Sequence, residues 1–221
     1  LTQYYPWTNV SCYVISKKDS IFKDAYSGEG YPNLEEGINN LDKIVNYATS
    51  IAIELLDATT PTPGVYTIIT NPSITGLIAH EAFGHGVEMD MFVRDRAKSK
   101  EYLDKYVASP LITMHDGAAS VLSAASYFFD DDGRRESYKR KSYTRMTNTF
   151  FEKGESTLEE MIQSVDNGYM IFDTNNGMED PKNWGIQCTA LYGREIKNGK
   201  FTGKIVSPIV MSGYVIDLLT S

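Results

Sequence analysis

Two of the chain's three histidines fall in one short stretch, His80-Glu81-Ala82-Phe83-Gly84-His85, and a glutamate directly follows the first. Neutral imidazoles are the commonest nitrogen ligands of zinc, and a carboxylate beside a ligand histidine is placed to take a proton from a water the ion activates. The spacing is unusual for such chemistry. Histidines four positions apart lie about 40° round an ideal helix, whereas five apart they are separated by about 140° and cannot both face one ion. A π-type bulge would bring them back together, and Gly84 and Gly86 on either side of His85 lower the cost of that distortion.

A catalytic zinc normally takes three protein ligands and keeps one position open, so a third donor is needed. Glu88 and Asp90 follow closely in the chain. They suit an outer carboxylate that orients an imidazole, or a helix surface, better than a direct ligand. Cys188, near Gly185, offers a thiolate, which zinc binds strongly. His115 precedes the turn pair Asp116-Gly117 and reads as a solvent-exposed loop histidine. Residue types alone do not rank Cys188 above Glu88.

These residues need elements to hold them. A short buried strand over 65–70 runs into Asn71-Pro72-Ser73, where Pro72 or Ser73 opens a helix carrying 74–91 and therefore the histidines. Upstream, alternation predicts a strand over 11–17 and glycines predict a turn at 27–30. From Asn33, an N-cap with Glu36 three residues on, apolar residues at three- and four-residue intervals predict one long helix to Leu56. Ser156 with Glu159 reads as a capping box for a helix within 154–166. The remainder is strand-like: an apolar run over 169–172, a long strand over 185–196 that carries Cys188, a hairpin at Asn198-Gly199, and strands over 201–205 and 209–218. The segment 121–129 fits helix or strand equally. The expected architecture is α+β, with helices of the first half packed on a mixed or antiparallel C-terminal sheet.

With 21 Lys+Arg against 29 Asp+Glu among 221 residues, the formal net charge is −8, which argues against a general nucleic-acid binder. The cluster Arg134, Arg135, Lys139, Arg140, Lys141 and Arg145 reads as a solvated face rather than a phosphate site, and the aromatic run Tyr127-Phe128-Phe129 as core. No apolar run approaches the length of a spanning helix, and the first residues have no basic-then-apolar pattern, so a soluble protein without an export signal or membrane partner is expected. Two cysteines, Cys12 and Cys188, make no disulfide framework and suit a reducing, cytoplasmic setting. A start at Leu1 rather than Met suggests a piece of something longer.

The stretch His80-Glu81-Ala82-Phe83-Gly84-His85-Gly86-Val87-Glu88-Met89-Asp90 resembles the signature of the TldD/PmbA family, called modulators of DNA gyrase, in which TldD-type subunits carry the motif and PmbA-type subunits lack it. Lys105-Tyr106-Val107-Ala108-Ser109-Pro110, Gly133-Arg134-Arg135-Glu136-Ser137, Arg145-Met146-Thr147-Asn148-Thr149 and the ending Leu191-Tyr192-Gly193-Arg194-Glu195-Ile196-Lys197-Asn198-Gly199-Lys200 are similar to it as well. The resemblance implies a zinc metallopeptidase that degrades or trims unfolded peptides as a homodimer or as a heterodimer with a PmbA-type subunit. Carried over position by position, it makes His80, His85 and Cys188 the zinc ligands and Glu81 the catalytic glutamate. Family members are much longer, which makes residues 1–60 a remnant of an N-terminal domain and 61–221 the metallopeptidase domain. The family's strand-bearing segment before Arg134-Arg135 is missing. Another reading is a non-catalytic peptide-binding or partner subunit whose metal is structural.

Overall fold

A computed structural model describes residues 7–116, 133–134, 139, 143–144, 146 and 149–221. The segment 121–129, Asp130 to Asp132, and Arg135, Arg140, Lys141 and Arg145 of the basic cluster lie outside them.

Two long strands, β1 (Thr8–Lys18) and β2 (Ile21–Tyr31), pair antiparallel along their whole length. The turn between them falls at Asp19, whose φ is 54°, not at 27–30. The glycines that suggested a turn lie inside β2 instead, where Gly30 leaves room for an aromatic ring: a Cβ there would stand 2.7 Å from the Trp7 indole. The single helix expected from Asn33 is two, α1 (Leu34–Asn39) and α2 (Leu41–Glu54). Asn33 caps the first, accepting the Glu36 amide at 2.9 Å. The break comes at Asn40, whose side-chain amide donates to the Glu36 carbonyl at 2.9 Å and competes with the helical ladder.

Helix α2 buries Ile44, Ala48, Ile51 and Ala52. It packs on the hairpin, and Ala25, Ile51, Ala52, Leu55 and Tyr192 form one cluster that joins this first unit to the end of the chain. Burying Ile44, Ile51 or Leu55 contributes about 1.5–3 kcal/mol each. Arg194 adds an ion pair with Glu54 at 2.6 Å.

Next come β3 (Thr67–Thr70) and α3 (Pro72–Ile78), which continues into a π-helical turn (Ala79–Gly84), a 3-10 turn (His85–Val87) and α4 (Met89–Val93). Short ribbons follow: β4 (Met114–Asp116) pairs with β7 (Thr149–Phe151), and β5 (Gly133–Arg134) with β6 (Tyr143–Thr144). Helix α5 (Leu158–Ser164) carries its capping box one residue later than the sequence suggested. Thr157 Oγ1 accepts the Glu160 amide at 3.2 Å, and Glu160 Oε2 accepts the Thr157 amide at 2.8 Å.

The last segment builds the main sheet from β8 (Asn167–Asp180), β9 (Gly185–Lys197), β10 (Lys200–Val206) and β11 (Ile209–Tyr214). The order is β10-β9-β8-β3, with β11 also against β9; β3 runs parallel to β8 and the other pairs are antiparallel. The fold is α+β on a mixed sheet. The strand expected over 209–218 stops at Tyr214 and becomes α6 (Val215–Thr220). Val215 and Leu219, four apart and both buried, give that end a helical face. No helix among the described residues is long and apolar enough to cross a membrane.

Candidate metal centre

Asn71 opens α3 by accepting the Ile74 amide at 3.0 Å, and Pro72 stands at the first turn, where its missing N–H is no loss. Ile74 and Ile78 bury one face, which fixes the rotation of the helix over the sheet. The helix then widens into the π turn, whose i→i+5 repeat returns residues five apart to neighbouring positions. The rings of His80 and His85 consequently meet edge to face, centroids 4.6 Å apart and planes at 77°. Potential donor atoms of His80, Glu81 and His85 all lie within 4.8 Å of one another.

His85 is held from behind. Its Nδ1 lies 3.2 Å from Oε2 of Glu88, a residue only 3% exposed, while Oε1 of Glu88 accepts the Met146 backbone amide at 3.4 Å. With Nδ1 protonated and donating to Glu88, the lone pair sits on Nε2, which faces Glu81 Oε2 at 3.9 Å. His80 is exposed, and Glu81 and His85 are half-buried. Asp90, also buried, stands 4.0 Å from Arg94. His115 is on β4, stacked on Phe150 and 2.8 Å from Glu152 Oε1.

The sheet under the π turn supplies the floor. Gly177 of β8 pairs with Cys188 of β9, and a Cβ on Gly177 would stand 2.7 Å from Glu81 Cγ, so the absence of a side chain there lets Glu81 lie flat on the strand. Cys188 is 2% exposed, and burial, with the charge of Glu81 as a second cause, pushes its thiol up to about 11. The structure thus brings His80, Glu81 and His85 together and puts Cys188 on the sheet close enough to feel Glu81, but outside the group whose donor atoms lie within 4.8 Å.

Glu179 went unnoticed in the sequence. It lies two residues along β8 from Gly177 and so on the same face, but the apolar run over 169–172 gave no sign that the strand extends to Asp180. Its two carboxyl oxygens are buried and have no hydrogen-bond partner. Burial foremost, then the charges of Glu81, Glu88 and Asp180, lift its pKa to about 8. Such mutual repulsion among carboxylates is what a bound cation relieves, and imidazole, carboxylate and thiol together are a donor set that zinc accepts. The residues fit the ion.

Known proteins resemble this chain over most of its length. A metalloprotease of Methanocaldococcus jannaschii is 25% identical over 226 residues, covering 87% of this chain and 49% of the relative. A zinc metalloprotease TldD homolog of Saccharolobus solfataricus is 24% identical, covering 76% and 45%. The chain spans about half the length of these curated relatives. The solved structure of TldE from Thermococcus kodakarensis superposes with a TM-score of 0.71 over 97% of this chain and 56% of its own, at 16% identity, a likeness of fold alone. The family described as PmbA/TldA metallopeptidase C-terminal domain matches residues 63–136 and 133–221, most of the chain, which therefore belongs to the TldD/PmbA family.

Proposed function

We propose that this chain carries the centre of a zinc-dependent peptidase that hydrolyses unfolded or extended peptides, with His80, His85 and Cys188 as metal ligands and Glu81 as general base. The observation that carries the proposal is the convergence of His80, Glu81 and His85 on the π turn. Zinc, when bound, supplies a Lewis acid that polarises the scissile carbonyl and makes water easier to deprotonate. Glu81 takes the proton of the attacking water and passes it to the leaving amine. Glu88 keeps the Nε2 of His85 available by accepting at Nδ1.

Extended substrates suit the sheet. Parallel pairing with β3 ends at Thr70 opposite Ile171, so from Thr174 to Asp180 β8 is paired with β9 alone among the described strands. A peptide adding along that edge would pass Gly177 and Glu81, and only an unfolded chain has free backbone groups to offer it. Residues 1–60 belong to the end of an N-terminal domain, and the assembly is a dimer with a like or PmbA-type subunit in the cytoplasm.

Glu81→Gln tests the proposal. It should keep zinc and lose hydrolysis of unfolded peptides, whereas hydrolysis at the parent rate would remove Glu81 from the chemistry.

A further inference from the structure

Beneath the 3-10 turn that carries His85, two buried polar groups face the same backbone and neither has a partner. One is the Glu179 carboxyl, with both oxygens buried and unbonded; the other is the indole N–H of Trp184, a residue 1% exposed. Both lie against Gly86. A Cβ built there would stand 2.7 Å from Trp184 Nε1 and 3.2 Å from Glu179 Oε1, so donor and acceptor converge on one spot. Both atoms thus crowd one spot, and buried waters typically sit between otherwise unsatisfied groups.

The surroundings are rigid. Trp184 is anchored by its own amide donating to the Asp180 carbonyl at 2.6 Å and by the Val215 amide donating to its carbonyl at 2.9 Å. Its ring packs against Tyr102 and Phe83, with centroids 5.0 and 6.0 Å away. On another side the buried Ser99 hydroxyl donates to the Gly86 carbonyl. Gly86 is thus enclosed by Ser99, Trp184 and Glu179, and it is bonded directly to His85.

We propose that Glu179 and Trp184, joined through one buried water, form a polar seat for Gly86, and that Glu179 is thereby a positioning residue for His85. The seat holds the ring from the backbone side, as Glu88 holds it at Nδ1. Glu179 touches neither substrate nor metal in this role. The inference rests on the zinc reading only for its metal readout.

Three variants test it, each measured for zinc affinity by competition with a chromophoric chelator, for hydrogen exchange of amides 84–88 in the metal-free protein, and for thermal midpoint. Glu179→Leu exchanges a buried carboxyl, bonded only to the bridging water, for an apolar side chain of similar size, so its midpoint should stay close to that of the parent. Its exchange over 84–88 should nevertheless quicken and its zinc affinity fall on the order of tenfold, a separation that a purely structural role would not produce. Trp184→Phe, which keeps a ring and loses the N–H, should loosen the same amides. Glu179→Gln, which keeps hydrogen-bonding atoms in place, should match the parent in both. Parent-like exchange and affinity in Glu179→Leu or Trp184→Phe would overturn the proposal, and so would a Glu179→Gln as impaired as Glu179→Leu. If the parent itself binds no zinc, the peptidase reading fails and the exchange measurement alone decides for or against the seat.

Discussion

Glu88 Oε2 lies 3.2 Å from Nδ1 of His85, on the opposite ring nitrogen from the one that faces Glu81. The contact fixes which nitrogen is free to bind a metal, because a proton shared with a buried carboxylate stays on Nδ1. Glu88→Gln keeps the shape and removes the charge. Zinc affinity should drop by roughly 10- to 100-fold, read by chelator competition, because the imidazole loses the carboxylate that makes it a better donor. The thermal midpoint of the metal-free variant should stay close to that of the parent.

Gly177 sets the height of Glu81 above the sheet. A methyl group at this position would meet Glu81 Cγ at 2.7 Å and Leu77 Cδ1 at 2.8 Å, and both must shift to admit it. Gly177→Ala should therefore move the general base by a fraction of a bond length to an ångström, which costs up to about a hundredfold in turnover when reacting groups are misplaced. Zinc content by mass spectrometry should be unchanged, since the atoms nearest to that methyl belong to Glu81 and Leu77 and not to His80 or His85. A variant with parent turnover would mean that Glu81 does not act from where it lies.

The histidine spacing was legible from the sequence because it breaks the helical period. Residues five positions apart do not share a face of an α-helix, and the chain resolves the conflict with a π turn that ends at Gly84. What could not be read were features that depend on partners far away in sequence. The glycines of β2 looked like a turn until the Trp7 ring was seen beside Gly30. Glu179 gave no signal of its own, because only the fold runs β8 under the motif to Asp180. The end of the chain misled for a local reason: Val215, Ile216, Leu218 and Leu219 fit a strand as a hydrophobic run and a helix by spacing, and packing of Val215 and Leu219 decided for the helix.

Glu179 also gives the metal-free protein a pH dependence of known sign. Its carboxyl titrates near the ordinary 4.5 when unfolded and at about 8 when folded, chiefly because it is buried. Between those values the folded state holds a proton that the unfolded state has released. Stability from this group is therefore fully present below about 4.5 and is lost as pH rises through about 8. Urea unfolding of the metal-free protein from pH 5 to 8.5 should show a decline with rising pH that is flatter in Glu179→Gln, which has no proton to lose. Equal slopes for parent and variant would place the Glu179 carboxyl in a more polar setting than its buried, unpartnered oxygens indicate.

Cys188 is the ligand assignment that geometry leaves most exposed to test. The sulfur is buried on β9 opposite Gly177 and feels the charge of Glu81, yet it stands outside the group formed by His80, Glu81 and His85. If it completes the zinc site, the sulfur and the two imidazoles must stand closer together with the ion bound than they do here. Metal content of the purified parent and of Cys188→Ala, measured side by side, separates the alternatives. One zinc per chain in the parent, lost or sharply weakened in the variant, supports a site of two imidazoles and a thiolate. Zinc held equally by both would shift the third ligand to a carboxylate, with Glu88 and Asp90 the nearest in sequence, and a site closed by protein ligands would then favour a structural metal over a catalytic one.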